Sequence, residues 1–235
     1  LSGHLPIVVT LEHGQFEQAD WHETPADDFL VRPFTASELA SRVRLCQARA
    51  QRDINANPLT GLPGNISIMR EIQRRLEAKD RFAVAYLDVD NFKPFNDKYG
   101  FSRGDEVLRM TARLLVNSVQ SLPCPNVYVG HVGGDDFIYI TPPEFVEKVT
   151  SDIIRNFDMV VPAFYDDEDR MRGEIRSTDR AGNPQSFPIM GISIAIVDSR
   201  ASEIKHVGHV SARVAELKHL AKSRVGSNYV IDRRK

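Results

Sequence analysis

The sequence predicts an α+β fold, an antiparallel or mixed sheet backed by helices rather than a doubly wound parallel one. Three observations carry this. Apolar strand-like runs and amphipathic helices follow one another as βααβ–βαββαβ, not as repeated strand–helix pairs. Val127–Val132 and Phe137–Ile140 are separated only by Gly133-Gly134-Asp135-Asp136, a hairpin signal. Gly173–Arg180 and Gln185–Val197 flank Ala181-Gly182-Asn183-Pro184 in the same way.

Element by element, Leu5–Thr10 is a β-branched apolar run and Asp28–Val31 a second short strand, ended by Arg32-Pro33. Thr35 and Glu38 form a capping box, and Leu39, Val43 and Cys46 follow at helical spacing, so a helix is expected to about Asn55. Ile66, Met69, Ile72 and Leu76 predict a helix over 66–79, and Phe82–Val89 a buried strand. Asp105–Val119 carries Val107, Met110, Leu114 and Leu115 on one side. Thr141-Pro142-Pro143-Glu144 is a second capping box, with proline at the first helical position, opening a helix to about Phe157. Ile204, Val207, Val210, Val214, Leu217 and Leu220 mark a long last helix with an apolar core face, and Tyr229–Ile231 a final strand.

Composition narrows the function classes. The chain has 235 residues, 42% of them hydrophobic, with 30 Lys+Arg against 32 Asp+Glu for a net charge of −2. At roughly 150 residues per domain, that length gives about one and a half domains. Near-zero charge argues against a dedicated nucleic-acid binder. Two cysteines, Cys46 and Cys124, cannot build a disulfide framework, which favours a reducing, cytoplasmic setting. No apolar run approaches 18 residues, so no membrane span is expected.

The residues that promise chemistry are acidic. Asp88 and Asp90 close the apolar strand Ala83-Val84-Ala85-Tyr86-Leu87, and Asp135 and Asp136 sit at the Gly133–Phe137 turn. Carboxylates at a strand end beside a Gly-Gly turn suit a hard divalent cation, which takes one or two carboxylates plus substrate phosphates. Gly133 and Gly134 let backbone approach a ligand closely. Taken alone, Gly-Gly-Asp-Asp is equally a plain hairpin turn. His131, just before it, is expected to be a packed strand residue rather than a ligand.

These acids do not stand alone. The chain reads Asn57-Pro58-Leu59-Thr60-Gly61-Leu62-Pro63-Gly64-Asn65, then Tyr86-Leu87-Asp88-Val89-Asp90-Asn91-Phe92-Lys93-Pro94-Phe95-Asn96-Asp97. Tyr99-Gly100, Gly104-Asp105-Glu106-Val107-Leu108 and Gly133-Gly134-Asp135-Asp136-Phe137 follow. Segment after segment this resembles the GGDEF domain of diguanylate cyclases, over about residues 55–235.

The resemblance implies a nucleotidyl-cyclase-like palm, a mostly antiparallel sheet with surrounding helices. It implies condensation of two GTP molecules into cyclic di-GMP and two pyrophosphates, with one GTP per site and two domains facing each other as a homodimer. By position, Asp88, Asp135 and the Val89 carbonyl would hold Mg²⁺ (or Mn²⁺). Asp88, Asp135, Asp136 and Lys93 would form the catalytic set. Asn96 and Asp105 would read the guanine edge, since a carboxylate accepts from its N–H groups and an amide complements the rest. Phe92, Gly133, Gly134, Lys222 and Arg224 would complete the substrate-binding set, the two basic residues meeting phosphate.

Three departures stand out. The family's usual glutamate is Asp136 here, one methylene shorter, which moves its carboxylate by roughly 1.5 Å. A shift of that size can cost about 10²-fold in a positioned reaction. The alternative is therefore a degenerate GGDEF domain that binds GTP or a protein partner and regulates without turnover. The family's product-inhibition motif, Arg-x-x-Asp, falls on Cys124-Pro125-Asn126-Val127, so no such inhibitory site is expected. The usual Lys with Arg four residues later becomes Lys222 and Gly226, with Arg224 nearby as a substitute.

Residues 1–52, with Leu5–Thr10, Asp27–Phe34 and the capped helix, resemble the last part of a response-regulator receiver domain, with a linker helix leading into a GGDEF domain at 53–235. Arg32 stands where receivers carry a lysine, before a proline in a cis bond. The receiver's phosphoacceptor aspartate would lie upstream of this chain. The resemblance implies the output half of a two-component response regulator, with an upstream histidine kinase, and no nucleic-acid or membrane partner.

Overall fold

The structure is a computed structural model that describes residues 5–18, 20–21, 23–178, 183–199, 204 and 206–232. Its contacts divide the chain into two units, Leu1–Ala56 and Asn57–Lys235.

In the first unit, β1 (Val8–Leu11) pairs in parallel with β2 (Asp28–Val31), and α1 (Ala36–Ile54) follows. The expected capping box closes α1. Thr35 N–H donates to Glu38 Oε2 at 2.7 Å and Glu38 N–H to Thr35 Oγ1 at 3.2 Å. Arg42 on α1 reaches back to Asp28 at 3.0 Å, and Leu30 and Cys46 are buried. The Arg32-Pro33 peptide is cis. Residues 11–27, which show no period, hold a short 3₁₀ turn at Gln15–Gln18, and their Phe16 and Trp21 rings cluster with Phe29 of β2.

The second unit begins with α2 (Asn65–Glu77), β3 (Ala83–Val89), α3 (Phe92–Tyr99) and α4 (Phe101–Gln120). β4 (Tyr128–Gly133), β5 (Asp136–Thr141), α5 (Pro143–Val160) and α6 (Asp167–Arg172) continue it. β6 (Glu174–Thr178), β7 (Pro184–Pro188), β8 (Ile192–Asp198), α7 (Val207–Lys222) and β9 (Asn228–Ile231) complete it. The central five-stranded sheet has the order β4-β5-β3-β8-β9 and is antiparallel except for the β8–β9 pair. This is the mostly antiparallel palm that the sequence predicts.

Strand alternation explains the layers. Ala83, Ala85, Leu87 and Val89 of β3 join Phe137, Tyr139, Ile192 and Ile194 in a core with α4 and α5. Val84, Ile138, Ile140, Ala195 and Val197 face the other way, into a core with α2 and α7. Both faces are covered, which is why the strands read as continuous apolar runs rather than alternating ones.

Several local expectations are corrected. Thr141 does not cap α5: it belongs to β5, opposite Ala83, its hydroxyl makes no hydrogen bond, and Pro142 is the N-cap. Ladder pairing has claimed the residue that the pattern assigns to the cap. α3 is an additional helix, tolerated because Pro94 falls in its first turn, where a missing N–H is harmless. The helix expected over Asp105–Val119 is longer: α4 starts at Phe101 after Gly100, whose φ of 85° breaks the chain between the two helices. Gln185–Val197 is two strands: β7 pairs with β6, and β8 enters the central sheet beyond Met190-Gly191. The expected turn residues Ala181 and Gly182 lie outside the described residues. Leu220 is 47% exposed instead of lining the core, and Ile204 precedes α7.

Candidate active site

The site grows from the same alternation. Asp88 follows Val84 and Tyr86 on the α7 side of β3, and the register sets it directly opposite Asp136 of β5 and Ser193 of β8. Two carboxylates facing each other across a ladder repel. Helix α7 supplies the compensation from Lys218 and Lys222, four residues apart and so on one face. Lys218 Nζ lies 2.9 Å from Asp88 Oδ2 and also donates to Asp136 Oδ1. Lys222 Nζ lies 2.7 Å from Asp88 Oδ1, as an ion pair not aligned for a hydrogen bond.

The charges respond accordingly. Burial pushes the Asp88 carboxyl up, but the Lys218 and Lys222 ammonium groups outweigh it and hold it below the usual carboxylate range. For Asp136 burial wins, and its carboxyl titrates above that range despite Lys218. Burial and then the Asp88 charge push Asp135 up. Asp90 is likewise raised, first by burial, although Ser193 Oγ donates to it at 2.7 Å.

Asp135 is placed by the hairpin between β4 and β5, with Gly133 and Gly134 at φ 146° and 58°, values that favour glycine. His131 anchors that loop. It is buried, stacks on Phe137 with ring centroids 4.1 Å apart, and its Nε2 lies 2.9 Å from the Gly134 carbonyl. Nε2 therefore carries the proton, and Nδ1 accepts from Thr60 Oγ1 at 3.0 Å. His131 is the packed strand residue expected. The Asp135 carbonyl then accepts from Val89 N–H at 3.3 Å, which joins the hairpin to the end of β3.

Beside this junction opens a cavity of about 570 Å³, lined among others by Val89, Phe92, Lys93, Asp135, Lys222 and Arg224. Pro188, Ile189 and Gly191, at the end of the β6–β7 hairpin, form part of its wall. Lys93 is exposed, and Arg224 is exposed with its guanidinium 3.4 Å from the Tyr229 carbonyl. Phe92 links the cavity to a second feature. A side chain on Gly104 would begin 1.8 Å from Asn96 Oδ1 and 3.2 Å from the Phe92 ring, so only glycine lets α4 approach α3 here. Asn96 Oδ1 is buried without a hydrogen-bond partner, and Asp105, next to Gly104, is half-buried.

The structure thus brings Asp88, Asp135, Asp136 and Lys222 together and sets Val89, Phe92, Lys93 and Arg224 around the adjoining cavity. Asn96 meets Gly104 beside the Phe92 ring, and Asp105 follows Gly104 on α4. Sequence reasoning missed Lys218. Its signal was present, because Lys218 lies one helical turn before Lys222 on the face that meets Asp88.

The donor set at the strand end is all oxygen, from Asp88, Asp135 and the Val89 carbonyl. Among the described residues, no three His, Cys, Asp or Glu side chains form a metal cage. Such a set fits Mg²⁺ or Mn²⁺, which keep open positions for phosphate and water, and does not fit a soft metal.

A palm sheet with paired strand-end carboxylates beside a cavity defines a nucleotidyl-cyclase-like class of domain. Residues 54–166 match the family described as diguanylate cyclase, GGDEF domain. The chain is 31% identical over 116 residues to diguanylate cyclase VdcA of Vibrio cholerae, covering 49% of this chain and 33% of that protein. It is 30% identical over 137 residues to response regulator PleD of Caulobacter vibrioides, covering 51% and 29% respectively. A third relative, diguanylate cyclase DgcZ of Escherichia coli, is 27% identical over 197 residues, covering 82% of this chain and 62% of that one. The chain spans only about a third of the length of VdcA and less of PleD. Among solved structures, the coiled coil and GGDEF domain of DgcB from Caulobacter crescentus superposes with a TM-score of 0.59 at 19% identity, covering 83% of this chain and 95% of that one. At that identity the likeness concerns the fold.

Proposed function

We propose that this domain is a diguanylate cyclase that condenses two GTP molecules into cyclic di-GMP and two pyrophosphates. The observation that carries this reading is a cavity lined by Asp135, Lys93 and Lys222, with Asp88 joined to it through its ion pair to Lys222. Asp88, Asp135 and the Val89 carbonyl would hold Mg²⁺ or Mn²⁺. When bound, the cation supplies charge neutralisation at the phosphates and lowers the pKa of the attacking 3′-hydroxyl. The chain's own groups do the positioning. Lys93 binds phosphate from α3, and Lys222 can turn from Asp88 to phosphate because its side chain is 47% exposed. Arg224 extends the same rim. The Asn96 amide and the Asp105 carboxylate orient the guanine edge, and the unpartnered Asn96 Oδ1 awaits a donor of the kind a guanine offers. Phosphoryl transfer needs little more than such positioning and charge neutralisation.

One cavity holds one GTP, so catalysis requires a homodimer in which two sites face each other. The first unit, with parallel β1 and β2 leading into α1, is proposed as the end of a receiver domain that takes its signal from a histidine kinase. No described helix is long and apolar enough to cross a membrane. The deciding experiment incubates the protein with GTP and Mg²⁺ at high protein concentration and follows cyclic di-GMP. Product formation is expected; binding of GTP without product would favour the second reading, a GTP-binding regulator. That second reading draws on Asp136, whose carboxylate is engaged by Lys218.

Gly104→Ala tests the base-reading side. The new methyl group pushes Asn96 from its place, so KM for GTP is expected to rise about 10-fold or more with kcat less affected. Unchanged steady-state kinetics would remove Asn96 from the guanine site.

A further inference from the structure

We propose that Lys218 is a positioning residue of this site, its ammonium group occupying the place of a cation between Asp88 and Asp136, so that Asp136 serves Lys218 and not a metal ion. The inference deepens the function proposed above and rests on its assignment of a divalent cation to Asp88 and Asp135.

Geometry separates the two lysines of α7. Lys218 touches both carboxylates of the ladder pair, whereas Lys222 touches Asp88 Oδ1 of that pair. The Lys218 side chain is 23% exposed and that of Lys222 47%. Lys222 lines the cavity and Lys218 does not. The outer lysine is therefore free to follow a ligand, while the inner one is held by two carboxylates that the β3–β5 register forces together. Asp136 is the shorter acid at the position where the family usually has glutamate. Its carboxylate ends its reach at Lys218. An ammonium there relieves the cross-strand repulsion permanently, with no need for a second ion. The shorter acid and the lysine thus complement each other as one charged pair.

The test counts Mn²⁺ bound to the full chain by electron paramagnetic resonance, without nucleotide. Wild type is expected to bind one Mn²⁺, lost in Asp135→Asn. Lys218→Met, which keeps the bulk of the side chain and removes its charge, should bind a second Mn²⁺. Asp136→Asn combined with Lys218→Met should return the count to one. Lys218→Gln supplies the same charge removal should the methionine variant not fold, and circular dichroism identifies the folded variants. A count that does not increase when Lys218 is neutralised overturns its role while leaving the cation at Asp88 and Asp135 standing. A wild-type count of two also overturns it. A wild-type count of zero overturns the cation assignment itself, and the Lys218 proposal with it.

Discussion

Asp169→Ala is expected to lower the unfolding free energy of the second unit by about 3 kcal/mol, because it strips a buried carboxylate from several donors at once. Asp169 is 0% exposed. Its Oδ2 accepts from Lys98 Nζ and Tyr99 Oη, and its Oδ1 from Arg172 Nη2. Lys98 and Arg172 keep 33% and 21% of their side chains exposed, so water compensates them in part when the carboxylate goes. Tyr99 is half-buried and loses its acceptor. The damage is expected to spread toward the site. The Tyr165 ring packs on Phe95 and Tyr99 at 5.1 and 5.6 Å, and its hydroxyl accepts from Met190 N–H at 2.8 Å. These contacts tie α3, which carries Phe92, Lys93 and Asn96, to the chain entering the cavity wall at Ile189. Urea unfolding measures the loss. Asp169→Asn, which keeps an acceptor for Tyr99 but no charge for Lys98 and Arg172, should fall between wild type and alanine. A loss below about 1 kcal/mol for the alanine variant would mean that the cluster behaves as a surface ion pair.

That cluster also marks where the sequence was silent. Asp169 and Arg172 are three residues apart on α6, but Lys98 and Tyr99 lie on α3 about seventy residues away, and no local spacing links the two helices. The central strands were legible because both sheet faces are covered, which turns Ala83–Val89 and Ile192–Asp198 into continuous apolar runs. The Thr35–Glu38 box was legible because capping is settled within four residues. Thr141 followed the same local pattern but was taken by the sheet, a competition that only tertiary pairing decides. At the site, Asp88 and Asp135 stood out as acids at the ends of apolar runs. Lys218 did not, since a lysine on a helix is ordinarily a solvated face. Its partner is fixed by how α7 lies across β3 and β5, and a strand register is a long-range quantity. Asn96 and Gly104 matched the family pattern, but the close approach of α3 and α4 that joins them is a property of the folded chain.

Asp88→Asn is expected to reduce cyclic di-GMP formation at least about 100-fold while leaving the fold intact, the magnitude seen when a preorganised electrostatic contact is removed. The shape of the side chain is kept, and the stability terms nearly cancel. Losing the carboxylate removes a buried charge that burial disfavours, along with the attraction of Lys218 and Lys222. Lys218 retains Asp136, and Lys222 is exposed enough to be rehydrated. Lost turnover with an unchanged melting curve therefore separates catalysis from folding. The comparison with Asp136→Asn sharpens the result. If Asp136 serves Lys218, its amide variant leaves Lys218 held by Asp88 and leaves Asp135 untouched, so its turnover should fall by less than that of Asp88→Asn. Its bound Mn²⁺ should stay at one per chain, while Asp88→Asn weakens that ion. An order of effects reversed between the two variants would place Asp136, not Asp88, at the reacting phosphate. The ladder that sets them face to face would then present the opposite carboxylate to the substrate.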